Sequence, residues 1–139
     1  YNLLNRLYES GMSEFYHRSS IGLLAYSPLA QGYLTGKYIN GARPKGARTT
    51  LFERGQRYET PNAEKAIIQY VEYAKKIGMD PAVFANAFVN SRDFVTSNII
   101  GATSMDQLKL AIDSHEVNLS EEDFKAIDKI HYQCPNPCP

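Results

Sequence analysis

The stretch Ile21-Gly22-Leu23-Leu24-Ala25-Tyr26-Ser27-Pro28-Leu29-Ala30-Gln31-Gly32-Tyr33-Leu34-Thr35-Gly36-Lys37 decides the fold class. Residues 22–27 read as a short apolar strand that ends in an aromatic residue and opens into a Ser-Pro, glycine-containing loop. An unbroken apolar strand is what burial on both faces requires, as in a parallel sheet. Small residues behind such a strand let backbone N–H groups approach a phosphate, and the C-terminal ends of barrel strands are where ligands bind. A helical turn is expected to carry the loop on to Lys37. A second unit of the same kind lies near the other end of the chain: Ser97-Asn98-Ile99-Ile100-Gly101-Ala102-Thr103-Ser104-Met105-Asp106-Gln107-Leu108. There an apolar strand over residues 96–101 runs through Gly-Ala into the start of a helix.

Between and around these two units the hydrophobic period is helical. Residues 1–5 read as the end of a strand, so the sequence is expected to begin mid-protein. A helical stretch follows over residues 7–18, with Leu7, Met12, Phe15 and Tyr16 as candidate buried positions. Residues 40–61 are rich in Gly, Arg, Lys and Thr and show no apolar period, so they read as a long loop of the kind that is functional or disordered. Thr60-Pro61 reads as N-cap and first helical position, with Ile67, Tyr70, Val71, Ala74 and Ile77 on one face and Gly78 as the stop. Asp80-Pro81 starts another helix, with Phe84, Ala87 and Phe88 inward. Thr103-x-x-Asp106 and Ser120-x-x-Asp123 are capping-box patterns. The first opens a helix with Leu108, Ala111 and Ile112 inward, the second one with Phe124, Ile127 and Ile130. Strands alternating with helices are the α/β, parallel-sheet signature.

Composition narrows the functional classes. The chain has 139 residues, enough for a real core but short of a complete (β/α)₈ barrel, which takes about 250. Fifteen basic residues balance fifteen acidic ones, so no basic stripe argues for nucleic acid. No apolar run approaches the length of a membrane span. Cys134 and Cys138 stand in the Pro-rich run Gln133-Cys134-Pro135-Asn136-Pro137-Cys138-Pro139, and a lone pair at that spacing is not a zinc site. Both thiols are expected to be free, on an extended tail, in a reducing cytoplasm. His17, His115 and His131 read as surface or helix-end residues without ligand spacing. Arg54 and Arg57 read as solvated loop charges, and Glu121, Glu122 and Asp123 as a first-turn cluster that suits the helix dipole. No metal site is expected.

Three segments carry a family resemblance: Tyr1-Asn2-Leu3-Leu4-Asn5-Arg6, Tyr26-Ser27-Pro28-Leu29-Ala30-Gln31-Gly32-Tyr33-Leu34-Thr35-Gly36-Lys37-Tyr38, and Ile99-Ile100-Gly101-Ala102-Thr103 with Gln107-Leu108. On these the chain resembles the C-terminal part of an aldo-keto reductase, most of all the bacterial reductases similar to potassium-channel β-subunits. The resemblance implies that residues 1–139 are the C-terminal portion of a single TIM (β/α)₈ barrel domain, strands six to eight with their helices and a C-terminal helix. It implies an NADP(H) site. Tyr26 matches the aromatic that stacks on the nicotinamide; Ser27, Leu29, Gln31 and Gly32 match the loop around the pyrophosphate, with Lys37 near its end. Arg48 matches a basic residue on the long loop that folds over the cofactor. Gly101, Ala102, Thr103 and Gln107 match the segment around the adenosine 2′-phosphate. There a first helical turn would offer free N–H groups and a positive dipole end to an anion, with the Thr103 hydroxyl as cap and phosphate donor at once.

The sequence departs from the family at Leu110 and Ala111, where many relatives carry Glu-Asn toward the adenine. Several relatives also place Arg where Gln107 stands. The family's catalytic Asp, Tyr, Lys and His belong to earlier strands, so no residue of this sequence is assigned a catalytic role. The resemblance thus implies the cofactor-binding part of an oxidoreductase that reduces aldehydes or ketones. The alternative is a nicotinamide-nucleotide-binding regulatory module, as in the channel subunits. The partners implied are the cofactor, a small carbonyl substrate, and either the N-terminal part of the barrel or a second copy. Without such a partner the open strand edges and apolar face are expected to leave the chain unstable or self-associating, and inactive.

Overall fold

Strands β1 (Leu23–Tyr26) and β2 (Val95–Ile99) pair in parallel, with Leu23 opposite Val95, Leu24 opposite Ser97, Ala25 opposite Asn98 and Tyr26 opposite Ile99. A parallel pair needs a long crossover. In the computed structural model, which describes residues 1–52 and 56–138, that crossover is built mainly from α3 (Pro61–Lys76) and α4 (Pro81–Asn90). Before β1 stands α1 (Ser13–Ser19), and α2 (Arg48–Phe52) is a short turn inside the long loop. After β2 come α5 (Met105–Asp113) and α6 (Glu121–Gln133).

The two crossover helices start where the sequence says they should. Thr60 is the N-cap of α3, its side chain accepting from the Ala63 N–H, and Asp80 caps α4 by accepting from the N–H groups of Ala82 and Val83. Each cap supplies acceptors for otherwise orphaned first-turn N–H groups, and proline follows at the first helical position, where no N–H is missed. At the end of α3, Gly78 takes φ +73°, a conformation glycine adopts without steric cost. The inward faces of α3 and α4 bury Ile67, Tyr70, Val71, Ala74, Phe84 and Phe88 against Leu3, Leu4, Ala25, Ala30 and Leu34. Ile127 and Ile130 of α6 complete this core. The Ser120–Asp123 capping box is formed. Burial pushes the Asp123 carboxyl up, but hydrogen bonds from the Ser120 N–H and hydroxyl and the Tyr73 hydroxyl outweigh it and hold Asp123 below the usual range.

Several sequence expectations need correction. Residues 7–18 are not one helix: a 3-10 turn, Leu7–Ser10, ends at Gly11 (φ +144°), and α1 starts afresh. Leu7, Met12 and Phe15, expected to be buried, are all more than half exposed. Residues 1–5 form a turn closed by an Asn2–Asn5 bridge in place of a strand, leaving a two-stranded sheet. The long loop contains α2 and two 3-10 turns, Ile39–Gly41 and Gln56–Tyr58. Ile77 caps α3 from a partly exposed position, and β2 starts and ends earlier than residues 96–101. The N-cap of α5 is Ser104, one residue past the expected Thr103, and Ile112 points outward, 61% exposed.

The largest revision concerns the tail. Cys134 and Cys138 are free thiols, as expected, but both are buried. The tail folds back instead of extending: the Asn5 amide donates to the Cys138 carbonyl, the Arg6 N–H to the Asn136 side chain, and the Thr60 hydroxyl to the Pro137 carbonyl.

Candidate functional site

Parallel pairing sends both loops of interest away from the same edge of the sheet. Tyr26 and Ile99 close the two strands side by side, so residues 27–32 and residues 100–103 leave the sheet together. The strands divide their side chains between two environments. Ala25 is buried against the helices, and Asn98 bonds to side chains of α4. Leu24 (60% exposed), Tyr26 (59%) and Ile99 (48%) lie open on the opposite face. Burial on both faces, expected from the apolar run, is therefore realised on one face only among the described residues.

The loop after β1 has an unusual backbone. Ser27 (φ +60°), Ala30 (+49°), Gln31 (+57°) and Gly32 (+95°) all occupy left-handed space, three of them without the freedom of glycine. Each such L-residue costs about 1–2 kcal/mol, which the surroundings must offset. The loop is anchored by the Asn2 amide donating to the Ser27 carbonyl and by turns from Ala30 N–H to Ser27 O and Gly32 N–H to Leu29 O. Pro28 and Ala30 are buried, while Ser27, Leu29 and Gln31 are half-buried. A Cβ at Gly32 would come 2.8 Å from Lys37 Cε and 2.9 Å from its Nζ, the movable end of that side chain, and φ +95° would strain any L-residue there. That places an ammonium group directly against the loop, 5.3 Å above the Tyr38 ring. The Gln31 Oε1 is shielded from solvent without a hydrogen-bond partner.

Arg48, expected on an open loop, is the exposed first residue of α2. Its neighbour Thr49 is buried, with its N–H donating to the Tyr38 hydroxyl at 3.2 Å and its own Oγ1 unpartnered. Arg54 lies outside the described residues. Arg57 is not simply solvated, for its guanidinium stands over the Tyr58 ring at 5.5 Å.

On the β2 side, Gly101, Ala102, Thr103 and Gln107 are all exposed. Thr103 is not the helix cap. Its N–H and hydroxyl both donate to the Gln107 Oε1, at 3.0 and 3.1 Å, while the Ser104 Oγ accepts from the Gln107 N–H. Among the described residues no group of His, Cys, Asp and Glu could hold a metal ion.

Two arrangements escaped the sequence reading. Asn98 on β2 donates to the side-chain carbonyls of Asn86 and Asn90, and Asn90 donates on to the Ser114 hydroxyl. Asparagines four apart on an otherwise apolar helix, with another inside a strand, were the available signal. A pocket of about 610 Å³ opens beside this network, lined by Asn90, Asn98, Ile100, Ala111, Ile112 and His115 among others, and contains none of the expected cofactor residues. The second arrangement joins Tyr33, Glu59 and Arg43: the Tyr33 hydroxyl (2.5 Å) and an Arg43 nitrogen (2.6 Å) both donate to Glu59 Oε1.

Residues 1–131 match the aldo/keto reductase family. The chain belongs to that family. It is 48% identical to Protein tas of Escherichia coli over its whole length, covering 40% of that protein. It is 33% identical to the L-glyceraldehyde 3-phosphate reductase of Escherichia coli, over 93% of this chain and 39% of the relative. A protein of Schizosaccharomyces pombe named for a voltage-gated potassium channel β subunit is 30% identical over 94% of this chain and 40% of its own length. In three dimensions the chain superposes on a glycerol dehydrogenase from Gluconobacter oxydans with a TM-score of 0.77 at 24% identity, over 98% of this chain and 42% of the other. The chain therefore spans about two fifths of the length of these relatives. Its fold is part of an aldo/keto reductase barrel, reduced here to a small two-stranded sheet and its helices.

Proposed function

We propose that this chain is the cofactor-holding part of an NADP(H)-dependent oxidoreductase that reduces aldehydes or ketones to alcohols, working in the cytoplasm. On this reading residues 1–139 are the C-terminal part of a single barrel domain whose other strands supply the catalytic Tyr, Lys, Asp and His. The observation that carries it is the meeting, at one sheet edge, of the left-handed loop 27–32 and the turn 100–103 in a chain of this family.

The residues present fit such a cofactor. The Gly32 cradle with Lys37 Nζ beside it suits a pyrophosphate, approached closely by backbone and met by a positive charge. The orphaned Gln31 Oε1 is an acceptor for a ribose hydroxyl or a carboxamide N–H. Tyr26, open on the sheet face, offers a ring on which a nicotinamide can stack. Arg48, Thr103 and Gln107, with Gly101 and Ala102 leaving room, would take the 2′-phosphate. Ser27 and Leu29 complete the loop. The bound nicotinamide supplies a hydride to the carbonyl carbon; this chain's own part is to hold, orient and shield it.

The similarity to a protein named for a channel β subunit supports a second reading, a nucleotide-binding regulatory module without fast turnover. Titrating the full-length protein with NADPH and NADH, followed by nucleotide fluorescence and then by aldehyde reduction, tests both. Micromolar NADPH binding, weaker NADH binding and turnover are expected. Binding without turnover favours the regulatory module. No binding of either nucleotide overturns the cofactor site.

A further inference from the structure

We infer that Glu59 is a positioning residue of the nucleotide loop: its carboxylate, shared between Tyr33 and Arg43, holds residues 30–32 in the left-handed run that faces the pyrophosphate. The inference rests on the nicotinamide-nucleotide reading above and names a part of that site which neither the fold nor the family resemblance assigns.

Ala30 and Gln31, at φ +49° and +57° ahead of Gly32 at +95°, do not keep that shape unaided, because L-residues prefer other regions. Such a run persists only where both its ends are fixed. Upstream, Ala30 is fully buried in the core. Downstream the fixed point is Tyr33. Its ring packs on Tyr38 and Tyr58, with centroids 4.6 and 5.7 Å away. Those ring contacts restrain the side chain laterally but not along its own axis. The Leu34 N–H donates to the Leu29 carbonyl across the run, and the Tyr33 hydroxyl adds a restraint from outside the loop by donating to Glu59 Oε1. Burial and the Glu59 carboxylate push the Tyr33 hydroxyl up to about 12, so it stays a donor throughout the physiological range.

Glu59 is itself held from two sides. Arg43 Nη2 pairs with the same oxygen at 2.6 Å, and the next residue, Thr60, caps α3. The loop is thus tied through one carboxylate to the start of a 16-residue helix and to the segment after the 3-10 turn Ile39–Gly41. Two donors converging on one oxygen call for a full negative charge there, since charged acceptors make the stronger bonds. Glutamine keeps the shape but loses that charge.

The test uses the full-length protein with Glu59→Gln, Arg43→Gln and Tyr33→Phe. Calorimetry with NADPH and with adenosine 2′-monophosphate, which carries the ribose phosphate but no pyrophosphate, separates the two loops. For Glu59→Gln, the NADPH Kd should rise about tenfold while the Kd for adenosine 2′-monophosphate stays within about twofold. Arg43→Gln should shift NADPH the same way by a smaller factor. General loosening would weaken both ligands together, and that result overturns the inference. So does unchanged NADPH affinity in Glu59→Gln. Should Tyr33→Phe fail to fold, the other two variants carry the test, because both side chains are partly exposed. A wild-type protein that binds neither NADPH nor NADH overturns the underlying reading, and this inference with it, from the wild-type data alone.

Discussion

Gly22 shows how a single missing side chain sets the spacing of the sheet. A Cβ placed there would meet Thr96 Oγ1 at 1.9 Å, Thr96 Cβ at 3.2 Å and the Phe94 carbonyl at 3.4 Å. The backbone needs that closeness, because the next residue's N–H donates to Phe94 O at 2.7 Å and starts the parallel ladder. Rotating Thr96 relieves only the first contact. Gly22→Ala should therefore destabilise the full-length protein by about 1–3 kcal/mol in chemical denaturation, the ordinary cost of overpacking. Adding Thr96→Ala should recover part of that loss and not all of it, since the site of the Thr96 Cβ stays occupied. A neutral Gly22→Ala would mean that the strands can separate freely at this end. The same economy of space operates at Gly32, where it is the Lys37 ammonium that fills the gap a side chain would take. One glycine thus serves strand spacing and the other serves charge placement.

At the scale of elements, the tail makes the sharpest claim. Both cysteines are buried, and burial pushes the Cys138 thiol up to about 11, so it holds almost no thiolate at neutral pH. In the native full-length protein both thiols should resist a disulfide reagent such as Ellman's, reacting quickly only once denaturant is added. Fast native labelling of either would mean that the tail is not docked on residues 5, 6 and 60. Nothing in the run Cys134-Pro135-Asn136-Pro137-Cys138 announced this docking, since its bonds go to segments more than seventy residues away. Elements whose causes are local were legible: the caps at Thr60, Asp80 and Ser120 need only neighbouring residues, and all three are formed. The miss at Thr103 was local too. Thr103 and Ser104 are adjacent candidates for one cap, and the Thr103 side chain found Gln107 instead. Of the candidate site, the loops were readable from the Ser-Pro, glycine-containing stretch after β1 and the Gly-Ala step after β2, while their lying side by side was implied by the family resemblance. The clamp through Glu59 was not, because it joins positions 33, 43 and 59 across a stretch with no period.

On the scale of the whole molecule, the sheet is too narrow to cover itself. Leu24, Tyr26 and Ile99 share one open face, and among the described residues β2 pairs on one edge only. At about 1.5–3 kcal/mol for each fully buried side chain, the exposed fractions of these three leave roughly 2.5–5 kcal/mol of hydrophobic stabilisation unrealised. Leu7, Met12 and Phe15 add a second exposed apolar group around α1. A barrel sheet buries its inward residues only when the remaining strands close it, and unpaired strand edges recruit whatever strand is available. The 139-residue chain expressed alone should accordingly self-associate, with sedimentation coefficients that rise with concentration, and should not reduce a simple aldehyde. Placing lysine at Leu24 and Ile99 should suppress that association by putting charge on the open face, whereas in the closed barrel of the proposed reading the same changes should prevent folding by burying two charges. These opposite effects of one pair of substitutions are the decisive readout. A monomeric, cooperatively unfolding 139-residue chain would show that the two strands and their helices suffice as a domain. Association unaffected by the lysines would move the sticky surface to α1.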